Sequence, residues 1–319
     1  MISSTSSPVI RVEHLIKRYK GATTNAVNDI SFTVQEGEFF SFLGPNGAGK
    51  TTTISILTTV LNGTAGSVTI AGHHLEKNPD GVRRSIGVIF QNHSLDGRLT
   101  VEENIRLHCV LYGLYGFRPM FSMMPAEYRD RLKDLLSLLD LWELRNAKVQ
   151  TLSGGMKRKL EIVRSLFHKP KVLFLDEPTS GLDPLSRRNL WAYLHNVRKT
   201  EKITIFLTTH YLDEAENADR AALIYKGKIL LCDTPMNIKR ELVDDLLLLD
   251  SSDRSALTSE LKNLKVDFTV NERVTVALRG QPPQHVLQAL KTPLTHLSIH
   301  YPSLEEAYIR FLDTHHEAA

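Results

Sequence analysis

At 319 residues, 42% hydrophobic and 24% charged, the chain has the make-up of a globular protein with room for one large domain and one small one. Its 39 Lys and Arg against 36 Asp and Glu leave a formal net charge of +3 without a basic tract, which argues against a nucleic-acid partner. Two cysteines, Cys109 and Cys232, exclude a disulfide framework and a cysteine metal site and fit a reducing cytosol.

No stretch reads as a secretory leader or a membrane span. The nearest approach, residues 109–126, is interrupted by Arg118, Pro119 and Pro125, so any membrane crossing is expected from another chain. Val9–Val12 and Ala26–Val34 are predicted strands on either side of a turn at Lys20-Gly21-Ala22. Glu38–Leu43 is a buried strand running into a glycine-rich loop, and a helix follows over Lys50–Leu61, stopped by Asn62-Gly63. Ser67–Ala71 and Ser85–Phe90 are further strands. From Val101 to about Leu144 the spacing of Leu132, Leu135, Leu136 and Leu139 turns helical, which places a helical insertion inside the sheet sequence.

The strand and helix rhythm then returns: helix Gly154–Leu166, strand Lys171–Leu175, helix Pro184–Arg198, strand Ile203–Thr208. Such alternation predicts an α/β fold with a largely parallel sheet covered on both faces. Asp233-Thr234-Pro235 ends that domain. Beyond it come strand Asp245–Asp250, helix Arg254–Asn263, a hairpin of Val266–Val270 and Val274–Leu278, helix Pro283–Leu290, strand His296–Ile299 and helix Ser303–Leu312. That β-α-β-β-α-β order is ferredoxin-like.

Between a strand and a helix, Gly44-Pro45-Asn46-Gly47-Ala48-Gly49-Lys50-Thr51 fits G-x-x-x-x-G-K-[ST], the phosphate loop. Glycines let successive backbone N–H groups curl around phosphate oxygens, and the helix N-terminus adds partial positive charge. Lys50 is placed to reach the β- and γ-phosphates, Thr51 to ligate Mg²⁺, and Thr52 to make a further phosphate contact. The apolar strand Lys171–Leu175 ends in Asp176-Glu177. Consecutive side chains at a strand end point to different sides, so the two acids are expected in different roles: Asp176 on Mg²⁺, and Glu177 as base for an attacking water. Taken alone, two acids at a strand end also fit a merely solvated turn.

Leu152-Ser153-Gly154-Gly155-Met156, opening the helix before the Asp-Glu strand, resembles the signature motif of ATP-binding cassette (ABC) ATPases. Phosphate loop, signature, Asp176-Glu177, Ser180-Gly181-Leu182-Asp183 and His210 follow one another as they do in that family. The resemblance covers residues 8–235 and implies a P-loop NTPase cassette: a parallel-sheet core, an antiparallel β subdomain and a helical subdomain at about 92–168. Residues 236–319 are expected as a small α+β C-terminal accessory domain of ferredoxin-like order, its role open. The resemblance also implies ATP and Mg²⁺ as ligands and a head-to-tail dimer in which Ser153, Gly154 and Gly155 of one copy cap the γ-phosphate held by the other. An integral-membrane permease is the implied further partner, and the cytoplasmic face of the membrane the implied location. By the same resemblance Tyr19 stacks on adenine, Gln91 touches Mg²⁺ and the water, Asp183 crosses the dimer interface, and His210 contacts the γ-phosphate.

Met156, in place of the more frequent Gln, is followed by Lys157-Arg158-Lys159. This is similar to the exporter branch of daunorubicin-resistance-type pumps and cell-surface glycan exporters, and implies export. A non-transport ABC ATPase on ribosomes or nucleic acid, or a regulatory ATP clamp, is the alternative. Neither a second cassette nor a long coiled coil is present, and Glu177 and His210 are intact, which speaks against both. His73, His74, His168 and the pair His315-His316 are expected as solvated surface, since no ligand spacing relates them. Tyr112–Met124, with Phe117, Met120, Phe121, Met123 and Met124, is either a docking loop for a partner or membrane, or core of the helical subdomain.

Overall fold

The computed structural model describes residues 7–92 and 94–308, so the end of the last expected helix and His315-His316 lie outside it. The chain divides into two compact units. One is built from the chain up to His210 with Ala218–Cys232, the other from Tyr211–Asn217 and the chain from Asp233 on.

The first unit begins β1 (Ile10–Lys17), β2 (Val27–Val34), β3 (Phe39–Leu43), α1 (Lys50–Leu57), β4 (Ala65–Ile70), β5 (His73–His74), α2 (Pro79–Ser85) and β6 (Ile86–Ile89). It continues with α3 (Val101–Leu111), α4 (Ala126–Leu138), α5 (Gly154–Leu166), β7 (Val172–Asp176), α6 (Pro184–Glu201) and β8 (Thr204–Thr209). After α7 (Leu212–Ala215), which belongs to the second unit, come β9 (Arg220–Tyr225) and β10 (Lys228–Asp233).

Two sheets form. β2-β1-β4-β5 is antiparallel, and β10-β9-β3-β8-β7-β6 has parallel pairing at β9/β3, β3/β8, β8/β7 and β7/β6. Every residue of β3, β7 and β8 is buried, as an apolar strand covered on both faces requires. Side chains alternate between two cores. Phe39, Leu173, Leu175, Ile205 and Leu207 pack with Leu160, Val163, Leu190 and Leu194 of α5 and α6. Phe40, Phe42, Phe174 and Phe206 pack with Ile54 of α1 and Phe32 of the antiparallel sheet. The parallel strands β3, β8, β7 and β6 lie side by side, so their carboxyl ends open on one edge, where ligands of open α/β sheets bind.

Several expectations need correction. Helix α1 ends at Leu57, not Leu61: the Thr58 hydroxyl donates back to the Ile54 carbonyl at 2.8 Å, and Thr59 takes φ +63°. The helical insertion expected from Val101 to about Leu144 is present, as two α-helices. Thr100 and Glu103 start the first with a reciprocal capping box, and Pro125 precedes the second. Helix α2, capped by Asn78 with Pro79 in its first turn, and strands β9 and β10 around Lys226-Gly227 were not anticipated, although each carries its local signal. His168 is not solvated surface: it is half-buried, with Nε2 2.8 Å from the Ile86 carbonyl. His73 and His74 form β5 and are also half-buried.

The Tyr112–Met124 loop divides between its two readings. Met124 is 2% exposed and Phe121 packs on the core, whereas Phe117 is 74% exposed and Met120 and Met123 stand in solvent. A buried network holds the loop: Tyr128 donates to Glu102 at 3.0 Å, Arg106 pairs with the same carboxylate at 3.1 Å, and Arg106 donates to the Arg118 carbonyl at 2.6 Å.

The second unit adds α8 (Pro235–Leu242), β11 (Leu246–Asp250), α9 (Arg254–Asn263), β12 (Phe268–Val270), β13 (Val274–Ala277), α10 (Pro283–Ala289) and β14 (His296–His300). Its sheet runs β12-β13-β11-β14, all antiparallel, which is the ferredoxin-like strand order. Leu247, Leu249, Val274 and Val276 of the sheet bury against Leu257 and Leu261 of α9.

Candidate functional site

At the end of β3 the loop from Gly44 to Gly49 folds back on itself. Lys50, 4% exposed, donates from Nζ to the Gly44 carbonyl at 2.7 Å and to the Pro45 carbonyl at 3.1 Å. Gly49 has φ +109°, and a Cβ there would lie 2.5 Å from the Ala26 carbonyl oxygen, so no other residue fits. Asn46 and Thr51 are exposed, while Pro45, Gly47 and Ala48 complete the turn. Helix α1 starts at Lys50 with its first N–H groups at the mouth of this loop. The Tyr19 hydroxyl lies 3.2 Å from that of Thr52, leaving the ring 46% exposed beside the loop.

Glu177 is the hub of the strand ends. Its carboxylate lies 3.7 Å from Lys50 Nζ, accepts from Gln91 Nε2 at 3.2 Å and lies 3.3 Å from His210 Nδ1. Its backbone is left-handed, φ +45°, a conformation costly for a residue with a side chain and one that persists where surroundings enforce it. Enforcement comes from β8: the Glu177 N–H donates to the Thr208 carbonyl and hydroxyl, both at 3.1 Å. That hydroxyl in turn donates to Asp176 at 2.5 Å. Thus Asp176 ends the strand on the Thr208 hydroxyl, and the left-handed turn at Glu177, rather than strand alternation, sends the second carboxylate to Lys50, Gln91 and His210.

Charge here is held against burial. Desolvation pulls the Lys50 ammonium below its ordinary pKa, and Glu177 and Asp176 pull it back. Burial lifts the Asp176 pKa, the Thr208 hydrogen bond opposes this, and Glu177 adds to the lift. Thr51, Asp176 and the Gln91 amide supply oxygen donors of the kind Mg²⁺ takes, and a divalent cation relieves the crowding of two carboxylates.

Ser153 and Asp183 lie elsewhere. Ser153 caps α5 by accepting from the Met156 N–H at 3.3 Å, and Ser153 and Gly154 are exposed. Asp183 caps α6 by accepting from the Ser186 N–H at 2.9 Å, and hydrogen bonds to Ser186 hold its exposed carboxyl below the usual range. Gly155 lies near Ser186, so these two helix starts are neighbours. Among the described residues no hydrogen bond or ion pair joins Ser153, Gly154, Gly155 or Asp183 to the Glu177 cluster.

The residue that sequence reasoning missed is Arg158, 2% exposed on α5. It donates to the carbonyls of Phe90 at 2.7 Å, Gln91 at 3.0 Å and Pro178 at 3.0 Å, and pairs with Glu161 at 2.9 Å. Glu161 also accepts from the Ser94 N–H at 2.8 Å. One guanidinium therefore ties the signature helix to the chain leaving β6 and to the chain leaving β7. The one hint in sequence was a basic residue four positions before the apolar Ile162, on the same face of that helix. Thr208, expected only as the end of a strand, bonds both acids: it accepts from the Glu177 N–H and donates to Asp176.

Known proteins resemble this chain in sequence and fold. The family model described as ABC transporter matches residues 27–180. The daunorubicin/doxorubicin resistance ATP-binding protein DrrA of Streptomyces peucetius is 35% identical over 305 residues, covering 93% of this chain and 89% of its own length. The probable multidrug ABC transporter ATP-binding protein YbhF of Escherichia coli (strain K12) is 36% identical over 238 residues, 74% of this chain, which spans only 39% of that relative. Among solved structures, the dimeric post-hydrolysis state of the ATP-binding cassette MJ0796 bound to ADP and Pi has a TM-score of 0.61 and 26% identity, over 70% of this chain and 98% of that one. With a relative of that kind matching it over nearly its whole length, the chain belongs to the ABC transporter ATP-binding family.

Proposed function

We propose that this chain is the ATP-hydrolysing subunit of an exporter, working at the cytoplasmic face of the membrane as a head-to-tail pair of identical copies beside a separate permease. The observation that carries the reading is the convergence of Lys50, Gln91 and His210 on Glu177, with Asp176 held alongside by Thr208. Lys50 exchanges its loop carbonyls for β- and γ-phosphate oxygens. Thr51, Asp176 and Gln91 hold Mg²⁺, which when bound neutralises charge on those oxygens. Glu177 accepts a proton from water while His210 and Gln91 keep its carboxylate aimed. Tyr19 offers its exposed ring to the base. Catalysis of this kind is positioning and charge stabilisation.

Pairing is supported by the separation of Ser153 and Asp183 from that cluster and by the exposed, glycine-lined start of α5, a ready donor of N–H groups to a phosphate held by a second copy. The dimeric state of the MJ0796 cassette supports it as well. Export is supported by the resistance and multidrug names of the two relatives. No helix among the described residues is long and apolar enough to cross a membrane, in keeping with a separate permease.

The pairing is tested with Asn46→Cys and Ser153→Cys in one chain, both positions being exposed. A short thiol cross-linker is expected to join position 46 of one copy to 153 of another when ATP is present, and not without nucleotide. Monomers only, under every nucleotide condition, sink the pairing. The exposed part of the Tyr112–Met124 loop is the proposed permease contact. Phe117→Asp with Met120→Asp is expected to cut co-purification with the membrane subunit at least tenfold while ATP affinity stays unchanged, by pull-down and nucleotide titration. Full retention of the subunit assigns that patch no docking role.

A further inference from the structure

The ends of β7 and β8 meet at one hydroxyl. In the parallel register Thr208 of β8 lies beside Asp176 of β7, and both are buried. The Glu177 N–H reaches two acceptors on Thr208, its carbonyl and its Oγ1, both at 3.1 Å. An N–H can only donate, so Oγ1 meets it with a lone pair. The hydroxyl proton is then left for Asp176, whose Oδ1 lies 2.5 Å away. One atom thereby spends its donor on the first acid and an acceptor on the second, and bonds chained in this way strengthen each other. Two residues on, the chain leaving β8 delivers His210, whose Nδ1 lies 3.3 Å from the Glu177 carboxylate. Glu177 is thus gripped from the β8 side at both its backbone and its carboxylate, while its carbonyl accepts from the Ser180 N–H at 3.1 Å.

We propose that Thr208 is a positioning residue for hydrolysis: its hydroxyl keeps Glu177 in the left-handed conformation that aims the carboxylate, and ties that aim to Asp176. The inference rests on the reading of Glu177 as base. At φ +45° a residue with a side chain sits in a sparsely populated region and stays there only where its surroundings over-determine it. Return to a negative φ redirects the Cα–Cβ bond and carries the carboxylate away from Lys50, Gln91 and His210. The Thr208 carbonyl is present whatever side chain stands there, so the hydroxyl is the part of the restraint that residue identity controls. Valine has the same shape without it. That change leaves the Glu177 N–H with the carbonyl alone and takes from the buried Asp176 oxygen the donor it has here.

The shared hydroxyl gives the two acids one geometry. A shift of Asp176 pulls on Oγ1, and Oγ1 carries the shift to the backbone on which the Glu177 carboxylate turns. Because His210 follows on the same strand end, the base and its histidine keep their register when β8 moves. Precision of this kind acts on rate rather than on binding. ATP affinity draws on the phosphate loop, whereas in-line attack requires the water and the base to be aligned.

The test is a mutant cycle in the full chain, in the assembly that turns over ATP, read by single-turnover hydrolysis and by nucleotide titration. Thr208→Val is expected to slow hydrolysis by about 30- to 100-fold, the scale of a 1 Å misplacement, with ATP affinity within about twofold of wild type. Thr208→Ser, which keeps the hydroxyl, is expected to stay within about fivefold of wild type in hydrolysis. In a Glu177→Gln background Thr208→Val is expected to cost less than about twofold more, because a residue that acts through the base has nothing left to position. Should the valine variant not fold, Thr208→Ala set against Thr208→Ser gives the same comparison. Hydrolysis by Thr208→Val within about threefold of wild type, no recovery with serine, or an equal loss with and without the Glu177 carboxylate overturns the inference and leaves the base reading standing. If Glu177→Gln itself turns over as fast as wild type, the base reading fails and takes the inference with it.

Discussion

Glu177→Gln is expected to slow ATP turnover by about 10²–10⁴-fold while leaving ATP binding intact. The amide keeps the length and the acceptor oxygen, so the contacts to Gln91 and His210 have a counterpart, but it cannot take a proton from water. At 1.36 kcal/mol per factor of ten, the loss is about 3–5 kcal/mol of transition-state stabilisation. Binding is expected to hold or tighten, because a negative charge 3.7 Å from Lys50 leaves the site that receives a polyanionic phosphate chain. Two other groups feel the change. Lys50 loses the larger of the charges that counter its burial, and Asp176 loses a neighbour that lifts its pKa. Single-turnover kinetics with a bound-nucleotide assay separate the two quantities. Turnover within about twofold of wild type would falsify the base assignment.

The second large effect belongs to Arg158. Arg158→Ala is expected to destabilise the first unit by about 3–5 kcal/mol, the cost of leaving one member of a buried ion pair behind. The variant strands Glu161, 1% exposed, and withdraws the donor from the carbonyls of Phe90, Gln91 and Pro178. For a domain of this size that corresponds to a melting temperature lower by roughly 10 °C. Arg158→Met with Glu161→Met removes both charges and is expected to recover part of the loss, since an apolar pair can replace a buried ion pair without penalty. Thermal unfolding of the three proteins decides. A single variant within about 1 kcal/mol of wild type would show that the clamp contributes packing only. ATPase activity adds a second readout: the clamp holds both Gln91 and the chain after Glu177, so loosening it should lower turnover more than ATP affinity.

Local chemistry was legible from residue order. A phosphate loop needs its glycines adjacent in sequence, because consecutive N–H groups must curl in one turn, and Gly49 could be no other residue with Ala26 behind it. Ser153 as helix cap, the acid pair at the end of β7 and the strand–helix alternation are likewise short-range patterns. The hairpin at Lys226-Gly227 and the Asn78-Pro79 helix start carry equally local signals.

Other features had no local signature. Arg158 lies 67 residues from Gln91 and 20 from Pro178, and a basic residue after a signature motif looks the same in sequence whether it is solvated or a buried clamp. His168 reads as surface until α5 turns it back toward the Ile86 carbonyl, 82 residues away. The split of one apolar loop into buried Met124 and exposed Phe117 depends on where Arg106 and Tyr128 anchor it. Residue order by itself determined which groups could bind phosphate, because that chemistry closes within one turn of backbone. Only the tertiary structure decided which charges are buried and what each one holds, because desolvation and pairing depend on neighbours brought in from distant parts of the chain.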